Sequence, residues 1–436
     1  MLSQIMYIYT FIFVIYIFLS YNQFMDFKEH LYQSLPKDEV DLLLESFNKE
    51  DTHAVLLNLE KISDEEFLKE FPNVKLHPVV PHAYIYDKNE YPFGKHLYHE
   101  LGYYYLQEPS AMVVSSLIDF KEDDLVLDMC AAPGGKSIQA SFKMHNHGLI
   151  ISNDLSFSRC GLISNNEERL GIKNIIIINN DLSKIYHKYL NAFDKIILDA
   201  PCSGSGMFRK SDEMMKDWSI NKVYKFQEIQ KSLIDIAYQM LKPGGLLSYS
   251  TCSYSKEEDE DVIEYLLNKS DAELVNMSSL KWGYINPKSP IGIRLMPSHF
   301  IGEGQYICQI RKPGSSSPTT FKSEKKKVGD FEFVTESSIN LPLANIYRYG
   351  VKVGENRKGN FRYDLHYART LKADDMDSVE LSLEELKKYL AGEQLNKTNQ
   401  YKGFVLLTYK NNAVDIAKSD TRVIKNYYPK GLRKKF

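Results

Sequence analysis

One stretch constrains the chain more than any other: Leu125-Val-Leu-Asp-Met-Cys-Ala-Ala-Pro-Gly-Gly-Lys-Ser137. An apolar run, Leu125 to Leu127, stops at Asp128 and turns through Pro133-Gly134-Gly135. A helix-compatible segment begins near Lys136. This is how a buried strand passes through a loop into a helix in an α/β domain. The glycines permit positive φ and let the backbone approach a ligand. Free N–H groups at the helix start then point at that ligand. A phosphate loop needs G-x-x-x-x-G-K-[ST]. Gly135-Lys136-Ser137 fits that pattern, but Cys130 stands at the first glycine position, which argues against a nucleotide hydrolase. The remaining readings are a loop around a nucleoside ligand and a purely structural turn.

The residues at the ends of the later strands separate those two readings. Strands are expected at Leu125–Asp128, Leu149–Asn153, Asn174–Ile178, Lys195–Leu198 and Leu246–Ser250. Helices are expected over Ser158–Leu170, from about Phe226 to Leu241, and after a capping box at Ser255-Lys-Glu-Glu258. Such alternation predicts an α/β fold with a parallel sheet and helices on both faces, closed by a late strand at Gln305–Ile310. Ligands of such sheets sit outside the carboxyl ends of the strands. Asp128, Asp154, Asp181 and Asp199 all fall at or just after those ends. Asp154 has the spacing of an acid that meets ribose hydroxyls, and Asp181 is placed to accept from an adenine amino group. One such Asp is normally a turn residue. Four in series, with the Gly-Gly loop, favour a nucleoside ligand, and S-adenosylmethionine (SAM) suits them.

The chain has five cysteines, Cys130, Cys160, Cys202, Cys252 and Cys308, with no C-x-x-C pair. An odd, sparse set is not a disulfide framework and points to a reducing compartment. Two cysteines follow strands at the same edge as the acids, in Asp199-Ala-Pro-Cys-Ser-Gly-Ser-Gly206 and Tyr249-Ser-Thr-Cys-Ser253. Alone, each reads as a small buried residue. Together they argue for thiolate chemistry. No His/Cys set has the spacing of metal ligands, so no metal is expected.

A chain of 436 residues allows two or three domains, and a formal net charge of −3 means that any basic surface is local. Residues 1–24 form an apolar head without a basic n-region or a small-residue cleavage site. It is short for a membrane span, and the favoured reading is that Met25 is the true start. Residues 25–105 read as a small α+β domain, 106–312 as the α/β domain and 313–330 as a polar linker. Residues 331–436 form a C-terminal region. Its end interleaves Arg422, Lys425, Lys430, Arg433, Lys434 and Lys435 with Tyr427 and Tyr428, a composition suited either to solvent or to RNA backbone and bases.

The segments Asp128–Lys136, Asp199–Gly206 and Ser250-Thr-Cys252 resemble the RsmB/NOP (Sun/Fmu, NSUN) family of RNA cytosine-C5 methyltransferases. Gly102–Met112, Gly302-Glu-Gly-Gln305 and Lys425–Arg433 point to its RsmF-like branch, and the resemblance runs from about Met25 to the C-terminus. It implies a Rossmann-like SAM-dependent methyltransferase sheet, an N-terminal RNA-binding domain and a C-terminal PUA-like module. It assigns SAM to Cys130, Ala131, Ala132, Pro133, Gly134, Gly135, Lys136, Asp154, Asp181 and Asp199. It makes Cys252 the nucleophile, Cys202 the residue that assists release, and a protonated or hydrogen-bonding Asp199 the partner of the base. The expected protein is a cytoplasmic monomer acting on small-subunit rRNA or the ribosomal subunit, without metal or membrane. Transfer RNA is the alternative substrate. A catalytically silent ribosome-assembly factor is the alternative class, disfavoured because Cys252, Cys202 and Asp199 are all intact.

Overall fold

The computed structural model describes residues 26–210 and 212–436, so the apolar head 1–24 lies outside the described residues. The chain divides into two compact units. One comprises the chain up to His53, Glu108–Ile118 and Leu182–Ser317. The other comprises Ala54–Gln107, Asp119–Asp181 and Pro318–Phe436.

In the first unit, strands Phe193–Asp199 and Leu241–Thr251 run parallel, with Asp199 opposite Ser250. Gln305–Arg311 pairs antiparallel on the far side of Leu241–Thr251. The parallel strands are joined by a helix, Ile220–Met240, longer than the spacing predicts because Ser219 caps it by accepting from Lys222 N. The helix ends where expected, yet Lys242-Pro-Gly-Gly245 belongs to the following strand. Gly244, at φ +82°, donates to the Lys312 carbonyl and keeps that stretch paired. An apolar cluster joins the helical residues 26–34 and Lys37–Ser46 to Phe208, Trp218 and Tyr254. Phe27 meets Phe208 and Trp218 edge-on, at ring separations of 5.0 and 5.1 Å. Each such pair adds about 0.5–1.5 kcal/mol to the burial. Phe208 and Tyr254 lie just beyond Cys202 and Cys252, so this core anchors the segments that carry the two thiols.

In the second unit, Leu125–Asp128, Leu149–Asn153 and Ile175–Ile178 form three parallel strands, fully buried. Ile346–Tyr349 closes the edge antiparallel to Ile175–Ile178, a contribution from the C-terminal region that no local pattern announces. The range 313–330, read as a linker, contains the strand Lys322–Val328 of a four-stranded antiparallel sheet. Its Lys-rich sequence lacks alternation because the strand is an exposed edge, where lysines discourage further pairing. A four-stranded sheet that includes Ala83–Tyr86 and Tyr104–Gln107 shares one core with a five-stranded C-terminal sheet around Lys402–Tyr409 and Asn412–Asp420. Phe67, Tyr104, Tyr389, Val405 and Tyr428 all lie in that core. Tyr428 is buried and donates to Glu100 at 2.5 Å, and Lys434 pairs with the same carboxylate at 2.7 Å. These two members of the basic, aromatic tail are therefore structural. Among the described residues, no helix is long and apolar enough to cross a membrane.

Candidate active site

Within the first unit, parallel pairing brings the ends of Phe193–Asp199 and Leu241–Thr251 out at one edge. Ala200 N extends the ladder by donating to Ser250 O at 2.8 Å. Cys202 and Cys252 come next along the chain, and their Sγ atoms lie 3.1 Å apart. The bond to Cys252, and then burial, push the Cys202 thiol well above the usual cysteine range. Either thiol can donate to the other across this contact. The loops meet this closely because Gly206 has no side chain. Its N–H donates to Cys252 O at 2.7 Å, and a Cβ there would lie 2.7 Å from that oxygen and 3.0 Å from Gly304 O.

Below the loops lies Glu258, fully buried. It accepts from Ser203 N at 2.7 Å, Ser203 Oγ at 2.5 Å, Ser253 Oγ at 2.7 Å and Gln230 Nε2 at 3.2 Å. Burial raises its pKa, against the lowering effect of these donors. The expected capping box does not form. Lys256–Glu258 is a single 3-10 turn, Ser255 makes no side-chain cap, and the helix starts at Glu260. Glu258 is drawn away to the serines next to each cysteine, a long-range partnership that a local motif search cannot find.

Thr251, which precedes Cys252, donates to Asp259 at 2.6 Å and accepts from Ser253 N at 3.1 Å. Asp259 and Glu260 share Arg294, a buried ion triad with an Asp259–Arg294 distance of 2.5 Å. Burial pushes the Asp259 carboxyl up, with Arg294 opposing. Asp199 accepts on one oxygen from Ser250 Oγ at 2.7 Å and Gln305 Nε2 at 3.0 Å. Glu303, two residues before Gln305, takes a two-pronged bond from Arg209 at 2.7 and 2.8 Å. Glu303 N donates to Glu108 at 2.8 Å. The Gly302–Gln305 and Glu108 segments, which in the sequence serve only as marks of resemblance, thus brace Asp199 and the loop beyond Cys202.

Within the second unit, the Gly-Gly loop succeeds Leu125–Asp128. Gly134 adopts φ +108°, and the helix Gly135–Lys143 begins without a side-chain cap. Asp154 accepts from Ala132 N at 3.3 Å and from Ser156 N at 2.9 Å. Asn153 O accepts from Ala131 N at 2.8 Å, and Asn153 Nδ2 donates to Met129 O at 3.0 Å. Arg159 reaches Ala132 O at 2.7 Å and Arg169 reaches His99 O at 2.7 Å, so neither is merely a solvated charge. Lys136 is buried rather than on the surface. Asp128 is buried too, tied to Ser137 at 2.7 Å, and serves the loop's own structure. Asp154 and Asp181 come after adjacent parallel strands. First-turn N–H groups for a carboxylate, and acids for hydroxyl and amino groups, form a donor set that fits SAM. Among the described residues, no cluster of His, Cys, Asp and Glu could hold a metal.

A nucleoside loop of this kind and a thiol pair at strand ends define a SAM-dependent methyltransferase. Similarity to known proteins narrows the class. Three family models match: "16S rRNA methyltransferase RsmB/F" over 115–311, the N-terminal domain of 16S rRNA methyltransferase RsmF over 25–109 and the RsmF PUA domain over 377–434. Ribosomal RNA small subunit methyltransferase F of Vibrio vulnificus is 30% identical, with 79% of this chain and 82% of that protein covered. Its Vibrio atlanticus counterpart is 29% identical over 93% and 97%. A methyltransferase homolog from Pyrococcus horikoshii is similar in structure, with TM-score 0.57, 30% identity and coverage of 64% of this chain and 93% of that one. NSun6 from the same organism, solved with SFG, shares the fold at TM-score 0.61 and 22% identity over 66% and 98%. The chain belongs to the RsmF family of small-subunit rRNA methyltransferases.

Proposed function

We propose that the protein methylates C5 of a cytosine in small-subunit rRNA through a covalent bond between Cys252 and C6 of the base. The observation that carries this reading is the thiol pair, with the Cys202 and Cys252 sulfurs 3.1 Å apart on loops that follow neighbouring parallel strands. C5 is a poor nucleophile while the ring is aromatic. Addition of the Cys252 thiolate to C6 forms an S–C bond, breaks that aromaticity and makes C5 enamine-like. SAM, when bound, supplies an electrophilic methyl group. Residues Cys130 to Lys136, Asp154 and Asp181 would hold it, and alignment is the protein's main contribution. Asp199, steadied by Ser250 and Gln305, donates to N3 of the base in its protonated form as negative charge builds there. After methylation the C5 proton leaves to a base, the C5=C6 bond re-forms and the C6–S bond breaks. Cys202 donates its S–H to the departing Cys252 sulfur.

The target cytosine must leave its stack to reach Cys252. The N-terminal sheet and the PUA module hold the RNA backbone and shape. The protein works as a cytoplasmic monomer without metal. Bisulfite sequencing of small-subunit rRNA and tRNA from a deletion strain tests the substrate. Loss of a protected cytosine in the rRNA is expected. An unchanged rRNA pattern with a lost tRNA signal would contradict the assignment.

A further inference from the structure

Glu258 lies outside the residues that the reaction itself needs, yet it joins both halves of the thiol centre. Its four donors come from three places: the residue after Cys202, the residue after Cys252, and Gln230 of the helix Ile220–Met240. Gln230 also donates to Pro201 O at 2.9 Å, immediately before Cys202. The Glu258 backbone is fixed as well, since its carbonyl accepts from Tyr249 Oη at 2.6 Å. Both carboxylate oxygens are therefore engaged, one by Ser203 N and Gln230, the other by the two serine hydroxyls.

We infer that Glu258 is a positioning residue that sets the separation of the Cys202 and Cys252 sulfurs by clamping Ser203 and Ser253. Its side chain joins two loops that also meet through the Gly206–Cys252 and Tyr254–Ser205 bonds, a Ser203–Ser253 hydroxyl contact at 3.4 Å and the thiol pair itself. A carboxylate suits the task because every group it meets is a donor. Glutamine in its place would aim an NH₂ group at one pair of donors. The serine hydroxyls can turn to accept from it, but the Ser203 N–H cannot. Its carbonyl must therefore take Ser203 N and Gln230 and its NH₂ the hydroxyls, and bonds to a neutral amide are weaker than bonds to a carboxylate, so the clamp loosens. The effect on catalysis rests on the covalent reading above, while the effect on sulfur spacing does not.

Disulfide formation measures that spacing without RNA or SAM. Diamide takes two electrons and two protons from a thiol pair and is reduced to the hydrazine, and an S–S bond forms only if the sulfurs meet. The fully reduced protein is treated with diamide, and the Cys202–Cys252 peptide is quantified by mass, with Cys202→Ala as the blank. In Glu258→Gln we expect cross-linking to slow about tenfold. With misplacement on the order of 1 Å, kcat falls about 100-fold, with KM for RNA and the affinity for SAM unchanged. Unchanged cross-linking and activity in a folded Glu258→Gln protein would overturn the inference. Should that variant fail to fold, Ser203→Ala/Ser253→Ala removes both hydroxyl tethers and must slow cross-linking too; an unchanged rate there overturns the inference equally. Slowed cross-linking, where Cys202→Ala forms no RNA adduct while the wild type transfers methyl, would leave the clamp standing and sink the covalent reading. Unchanged cross-linking with a Cys252 adduct would do the reverse.

Discussion

The thiol loops and the nucleoside loop are built on the same plan and braced in opposite ways. Each succeeds a parallel strand, and each contains a glycine that no other residue could replace without strain, Gly206 in one and Gly134 in the other. Around the thiols, the bracing is buried charge: Glu258, the Asp259–Arg294–Glu260 triad and the Arg209–Glu303 pair. Around the Gly-Gly loop, it is mostly backbone, through Asn153, Gly134 and Ala131, with the Asp154 carboxylate tied directly to the loop's main chain. A loop that binds ligand with its own N–H groups needs only its backbone conformation held. Two side chains that must react in sequence need their atoms held, and short charged hydrogen bonds resist displacement more strongly than neutral ones.

The two kinds of bracing can be broken separately. Cys252→Ala should cut methyl transfer by about four orders of magnitude while SAM binding stays intact, because the nucleophile is lost and the cofactor loop is untouched. Single-turnover transfer of labelled methyl to rRNA, with calorimetric SAM titration alongside, reads both. Arg294→Met leaves Asp259 and Glu260 buried without their cation. We expect a loss of about 3–5 kcal/mol in denaturant unfolding. If the loss were under about 1 kcal/mol, the buried triad would not be bracing Thr251.

A buried acid in the C-terminal sheet sharpens the point, because it accepts from a hydroxyl, Tyr389, and a backbone N–H, Ile416. Burial pushes the Asp415 carboxyl up to about 6, and the Tyr389 hydroxyl, 2.7 Å away, only partly offsets this. A carboxyl raised in the folded state binds its proton more tightly there than when unfolded. Stability is therefore lost as pH rises from about 4 to about 6, by up to roughly 3 kcal/mol, and stays lost above that. Asp415→Asn should be more stable than wild type at pH 7, and the gain should vanish toward pH 4. A gain independent of pH would contradict the assignment. Smallest, Gly134→Ala forces an alanine to φ +108° at a cost of about 1–2 kcal/mol. SAM affinity should fall about tenfold while diamide cross-linking of Cys202 and Cys252 is unaffected.

Much of this architecture is legible in the chain. The strands Leu125–Asp128 and Leu149–Asn153 appear as expected because short, fully buried apolar runs declare themselves. The capping boxes at Ser63 and Ser382 form because each needs only neighbours three residues apart. The features that escape a reading of the sequence depend on partners far along the chain. Glu258 forgoes its local cap for Ser203, 55 residues away. Ile346–Tyr349 becomes a strand only because Ile175–Ile178 offers it an edge. Lys322–Val328 looks like a linker because an exposed edge strand carries no alternation. The thiol motifs point to the chemistry, whereas the charges that hold them carry no signal beyond ordinary acidic and basic residues.

The central claim is that Cys252 bonds to the base and Cys202 assists its release. It is tested most directly by running wild type, Cys202→Ala and Cys202→Ala/Cys252→Ala on a denaturing gel after incubation with SAM and rRNA. A slow-migrating protein–RNA adduct is expected in Cys202→Ala and should be absent from the double variant. An adduct that survives the loss of Cys252 would contradict the claim, as would no adduct in Cys202→Ala under conditions where the wild type transfers methyl.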